Sequence, residues 1–106
     1  MSKKYVPSGY QIIDLGSLDL STSVTLSKET SEETQILYDI LKGEENKPIL
    51  LKLFEENSGA LWNGVAVRNN DMCSLSFVSD DASSINSVVI YAFNDELIIT
   101  LAHVDF

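Results

Sequence analysis

The sequence predicts an α+β fold: a mainly antiparallel β-sheet or compact sandwich of about six strands, with one short helix over about residues 31–42 packed across a face. Three observations predict it. Apolar residues recur at helical spacing convincingly in one place, at Ile36, Leu37, Ile40 and Leu41. Beyond Pro48 the chain reads as successive strand-like runs. The connections between those runs are short and rich in Asn, Asp, Ser and Gly, so neighbouring strands are expected to pair antiparallel.

Residues 1–8, broken by Pro7, are expected to form a flexible arm ahead of a single globular domain over residues 9–106. Residues 9–15 suit a short strand, with Ile12 or Ile13 facing the core, and residues 16–21 suit a loop. Val24, Thr25 and Leu26 predict a brief second strand. At Thr30 the period changes: the Thr30 hydroxyl and the Glu33 carboxylate are spaced for a reciprocal capping box, and Glu32 and Glu33 sit at the positive end of the helix dipole. The stripe Ile36, Leu37, Ile40 and Leu41 should face the sheet, with Tyr38 and Asp39 turned away. Gly43 is expected to end the helix in a left-handed conformation, and Pro48 prevents continuation.

Residues 49–54 are apolar enough for a central strand, and residues 56–59 turn the chain into a strand over residues 61–68. Asn69, Asn70 and Asp71 predict a turn. In residues 72–79, Cys73, Leu75 and Phe77 share a face opposite serines. Residues 79–84 form a polar loop, residues 85–93 a strand, Asn94 and Asp95 a tight hairpin turn, and residues 97–104 the last strand. The expected core adds Leu51, Leu53, Val65, Val67, Leu75, Phe77, Val89, Tyr91, Ile99 and Leu101. Val88, Ile90 and Ile98 lie opposite that set, so either a second sheet or a partner chain should cover them. They are the candidate self-association surface. Trp62, out of phase with Leu61, Val65 and Val67, joins them as an interface anchor or stacking platform, the alternative being burial under a second sheet or the arm. Tyr10 is the other aromatic of interest.

Composition narrows function by exclusion. Sixteen acidic against seven basic side chains give a net charge of −9, which repels phosphate backbones and anionic headgroups, so nucleic acid and membrane are poor partners. The single cysteine rules out an internal disulfide and a multi-cysteine zinc site. No apolar run approaches the ~18 residues of a membrane span, and the first residues lack a secretory signal's apolar stretch. His103 is the one histidine, with no local nucleophile or acid spaced to use it, and Cys73 reads as a small core hydrophobe. A Cys73–His103 dyad would need the fold to bring their strands together. The glycines are isolated, so neither a nucleophile elbow nor a phosphate-cradling loop is present. Glu55–Glu56 and Asp80–Asp81 fall in turns, where carboxylates are generally solvated, and the loop at residues 79–84 lacks the positional pattern of a calcium site. No enzyme activity, cofactor or metal is expected.

The heptapeptide from Gly9 to Leu15, the polar loop, the short helix, Lys47-Pro48-Ile49-Leu50-Leu51 and the closing Ile98-Ile99-Thr100-Leu101 strand resemble, in order, small β-rich virion structural proteins of tailed phages. Head fibres, tail appendages and baseplate pieces belong to that group. The resemblance covers most of the chain, supplies no catalytic or binding residue to carry over, and implies a homo-oligomeric module, often a trimer, in a virion. The function it supports is noncatalytic: a structural or receptor-facing module working through protein contacts and self-association, in the virion or the host cytoplasm. The alternative is a small acidic inhibitor or adaptor of the phage counter-defence type that docks a basic partner surface, and a small hydrolase stands third.

Overall fold

The computed structural model describes residues 11–105; the arm at residues 1–8, Tyr10 and Phe106 lie outside the described residues. Seven strands and one helix follow in the order β1 (Gln11–Leu18), β2 (Val24–Ser27), α1 (Glu32–Lys42), β3 (Ile49–Glu55), β4 (Ala60–Asn69), β5 (Met72–Val78), β6 (Ser84–Phe93) and β7 (Glu96–Asp105). They form one sheet, ordered β1-β3-β4-β5-β6-β7-β2, which curls toward a barrel. The α+β, mainly β architecture is as expected, with one strand more and one pairing of the other sense. β1 runs parallel to β3, because β2 and α1 intervene and return the chain in the same direction. β1 also runs on past Gly16, whose φ of +74° accommodates a bulge between Asp14 and Ser17 and carries the strand to Leu18.

The helix begins one residue later than expected. Ser31 is the N-cap: its hydroxyl accepts from the Thr34 amide at 3.2 Å while Thr34 Oγ1 accepts from the Ser31 amide at 2.9 Å. Thr30 and Glu33 therefore do not form the box. The buried stripe is Thr34, Leu37, Tyr38 and Leu41, with Ile36 and Ile40 half-buried along its flank. Tyr38 points inward because its hydroxyl finds a partner at the β6–β7 turn, accepting from the Asp95 amide at 3.0 Å. Lys28 closes that corner: its ammonium lies 3.4 Å from the Asp95 carboxylate and 5.4 Å from the Tyr38 ring centre. Gly43 is not left-handed; at φ −78° it leaves the helix extended, its amide donating to the carbonyls of Asp39 and Ile40. The helix end is fixed instead by Arg68 of β4, whose guanidinium donates to the carbonyls of Leu41, Gly43 and Glu45 while its Nε donates to Asn70.

α1 packs against β1, β6 and β7 on the concave side, so no second sheet is needed. The concave face carries Ile13, Ile49, Leu51, Leu53, Trp62, Ala66, Cys73, Leu75, Val88, Ile90, Ala92, Leu97 and Ile99, all buried. Two strands thus face the opposite way from expectation. In β4 the inward residues are Trp62, Gly64 and Ala66, and Val65 and Val67 point outward; in β6 they are Val88, Ile90 and Ala92, while Val89 is half-buried and Tyr91 exposed. The inside of a tightly curled sheet has little room, which suits small residues: a Cβ on Gly64 would stand 2.9 Å from a Leu75 methyl. Phe77 and Leu101 do lie on the concave face, but beyond the helix, and remain 45% and 40% exposed.

Candidate functional site

The residues singled out as an interface are mostly interior. Trp62, Val88 and Ile90 are buried and Ile98 is half-buried, so the surface they were expected to form is not available on this fold. The apolar surface lies on the other side of the same strands. Ile12, Leu50 and Val65 are cross-strand neighbours in one row of the convex face. Val67 follows on β4 and continues through Ser74 and Val89 to Thr100 in the next row, and Met72, Tyr91 and Ile98 form a third. Ile12, Val65, Val67, Tyr91 and Phe93 are all exposed, Val67 to 69%. None of the three rows contains a charged side chain between β1 and β7. Rows free of charge with exposed apolar side chains are the chemistry of a protein-contact face. Alternation alone could not locate them on β6, both of whose faces are apolar.

The chemically versatile side chains are held apart. Cys73 lies in the row Cys73–Ile90–Ile99 and His103 in the row Phe77–Asn86–His103, with Leu75–Val88–Leu101 between. No Cys73–His103 dyad forms. Burial pushes the Cys73 thiol up to about 12, against a smaller opposing effect of Arg68, which leaves it a protonated core side chain. His103 is exposed, its Nδ1 2.5 Å from Asn86 Oδ1 and its Nε2 2.8 Å from Asp105 Oδ1. Both ring nitrogens are thereby engaged at the uncovered end of the concave face. There the Phe77 ring meets Trp62 at 4.8 Å between centres, and the Trp62 indole N–H is buried without an acceptor among the described residues.

Two carboxylates expected in solvent are instead hydrogen-bonded into loops. Glu55 is buried at the end of β3 and accepts from the amides of Leu20 at 2.9 Å, Asn57 at 2.9 Å and Ser58 at 2.7 Å. It pins the β1–β2 connection to the β3–β4 turn, and these donors, the Leu20 amide first, hold its carboxyl down at about 2. Asp81 accepts from the hydroxyls of Ser83 and Ser79 and from the Ser83 amide, which likewise lowers it to about 2 and fastens the β5–β6 loop around Ala82, at φ +56°. Its Oδ1 is thus turned to donors within the loop. The surface depression of about 460 Å³ beyond the helix, lined by Asp39, Ile40, Gly43, Glu44, Glu45 and Lys47, is open, and Lys47 pairs with Glu45 at 3.3 Å.

Glu55 gives a pH prediction with a definite sign. Its folded value of about 2 lies below the ordinary 4.5, so the unfolded chain binds the extra proton first. The stability it contributes is complete above about pH 4.5 and is lost as pH falls toward about 2. Glu55→Gln is expected to lower the urea midpoint at neutral pH and to show a smaller further drop than wild type between about pH 5 and 3. Parallel pH dependences for the two proteins would place the acid sensitivity elsewhere.

Compared with protein-family models, with curated proteins and with solved structures, the chain matches none. Among the described residues, no helix is long and apolar enough to cross a membrane.

Proposed function

We propose that this chain is a noncatalytic assembly or binding module that works through protein contacts, itself included, made by the convex face of its sheet. The observation that carries the reading is the set of uncharged cross-strand rows running from Ile12, Leu50 and Val65 through Val67 to Val89 and Tyr91, with Val65, Val67 and Tyr91 exposed. The chemistry of the remaining side chains supports the noncatalytic part: the thiol is buried and protonated, and the imidazole is engaged at both nitrogens. The virion role rests on the resemblance of the sequence to tailed-phage structural proteins, and places the module in a particle as a fibre, appendage or baseplate piece.

The convex-face reading is tested with the double substitution Val65→Glu and Val67→Glu, which puts charge on exposed positions and should leave the melting transition unchanged. Assembly of the variant into particles, or its association measured by light scattering across micromolar concentrations, is expected to fall at least tenfold. A folded double variant that assembles as wild type does would overturn the reading. Mass spectrometry of purified phage particles tests the virion role separately, with the polypeptide expected among the particle proteins.

A further inference from the structure

The backbone of β7 divides into a covered and an open half. Its pairing with β2 spans Glu96 to Ile99 and ends there, whereas its pairing with β6 continues to Asp105. Residues 100–105 therefore have a neighbour on one side only among the described residues. Which groups face the open side follows from hydrogen bonds elsewhere in the sheet. The Ala92 amide donates to the Asp71 carbonyl and the Ser79 amide to the Ser84 carbonyl, so even-numbered residues of β6 address β5 and odd-numbered ones address β7. With Phe93 opposite Glu96 and Tyr91 opposite Ile98, the even-numbered residues of β7 address β6. The Lys28 amide donating to the Asp95 carbonyl agrees, since it places odd-numbered groups on the β2 side. The N–H and C=O groups of Leu101, His103 and Asp105 thus point outward from an edge that is unpaired among the described residues.

Edges left in this state normally carry a lysine or another charge, a proline, a bulge or a covering loop. Thr100-Leu101-Ala102-His103-Val104-Asp105 has neither lysine nor proline, its one carboxylate stands at the end, and its register with β6 is unbroken. We propose that this edge pairs with the same edge of a second copy, antiparallel about a two-fold axis at His103, joining two sheets into one. That register uses every outward group: His103 faces the second copy's His103, and Leu101 faces its Asp105. Because the axis is perpendicular to the sheet, the convex faces stay on one side, where Ala102 meets the second copy's Val104. On the concave side each Asp105, already 2.8 Å from its own His103, comes within diagonal reach of the second copy's imidazole. The junction then alternates the two imidazoles with the two carboxylates across the two-fold axis, and this self-complementarity favours a second copy over an unrelated strand. The inference rests on the proposed function only in expecting protein contacts; the surface is a different one.

The experiment uses the full chain with single substitutions. Among the described residues the His103 N–H is unused, so His103→Pro removes an edge donor without taking a hydrogen bond from the sheet, and the monomer loses only the exposed side-chain contacts to Asn86 and Asp105. Light scattering is expected to show wild type moving from monomer to dimer with concentration, and His103→Pro weakening that association at least tenfold. His103→Cys places two thiols directly opposite, at the ~5.5 Å Cα separation of a hydrogen-bonded pair, which suits a disulfide. Mild oxidation is expected to link His103→Cys chains and to leave Leu101→Cys, which faces residue 105, unlinked. A dimer dissolved by Val65→Glu with Val67→Glu but untouched by His103→Pro would overturn the edge pairing and leave the convex-face reading standing. A wild type that stays monomeric, or Leu101→Cys linking in place of His103→Cys, would overturn it also, the first outcome including an edge covered by residues 1–10.

Discussion

Ile90→Asp is expected to abolish cooperative folding, whereas Tyr91→Asp, one residue further along the same strand, should leave the fold standing. Ile90 is fully buried between Cys73 of β5 and Ile99 of β7, while Tyr91 is 44% exposed on the convex face. Removing the Ile90 side chain alone costs about 2–5 kcal/mol. A carboxylate without a partner in that position adds several kcal/mol more or forces water into the core. Together these approach the whole stability of a domain, about 5–15 kcal/mol. At Tyr91 the carboxylate stays in water, and the loss is limited to cross-strand contact with Met72 and Ile98, about 0.2–1 kcal/mol per pair. Far-ultraviolet circular dichroism with urea titration distinguishes the cases, and a cooperative transition for Ile90→Asp would mean that the faces of β6 are assigned the wrong way round.

The two substitutions also mark where the fold was legible in the sequence and where it was not. Every strand after the helix was visible as an apolar run between turn residues, and the Asn94–Asp95 turn is present with both residues at positive φ. The faces were the difficulty. A two-residue turn there pairs Phe93 with Glu96, and so Ile90 with Ile99. With Ile99 in the core, Ile90 must share its side and Val89 cannot. The turn therefore held information that alternation lacked, because both faces of β6 are apolar. β4 fails for a related reason. Asn69, Asn70 and Asp71 read as a three-residue turn would place Val67 opposite Cys73, but Asn69 pairs with Met72, only Asn70 and Asp71 turn, and Arg68 is the residue opposite Cys73. One residue of register exchanges every side chain between faces. That slip alone moves Trp62 from the surface to the interior and Val65 and Val67 from the interior to the surface.

Long-range polar contacts were illegible for a different reason. Nothing local to Glu55 announces that the Leu20 amide will meet it, and nothing local to Arg68 announces three carbonyls at the helix end. The first depends on the parallel pairing of β1 with β3, which sets Leu18 opposite Glu55 and so brings the β1–β2 connection beside the β3–β4 turn; the second depends on the packing that sets the end of β4 beside the helix terminus. The candidate convex face was hidden by the same inversion that misplaced Trp62, Val88 and Ile90.

Leu37→Ala is expected to cost about 2–5 kcal/mol, more than Ile40→Ala on the same helix. The reason is position on the helix rather than residue type. Leu37 is fully buried on the line through Thr34, Tyr38 and Leu41, at the three- and four-residue spacing that keeps one helical stripe against β1, β6 and β7. Ile40, as large and equally apolar, lies on the flank and keeps contact with water, so Ile40→Ala removes less buried surface and leaves a gap that solvent can enter. Ser31→Ala removes one cap interaction, about 0.5–2 kcal/mol, and Thr30→Ala is expected to have little effect, because Thr30 is outside the cap. Urea melts with unchanged slopes should therefore place the midpoints in the order Leu37→Ala lowest, then Ile40→Ala, with Thr30→Ala close to wild type. An Ile40→Ala midpoint below that of Leu37→Ala would rotate the buried stripe toward Ile36 and Ile40 and turn Tyr38 away from the sheet. The Tyr38 hydroxyl would then lose the Asp95 amide, and the corner that joins the helix to the β6–β7 hairpin would have to be held by Lys28 alone.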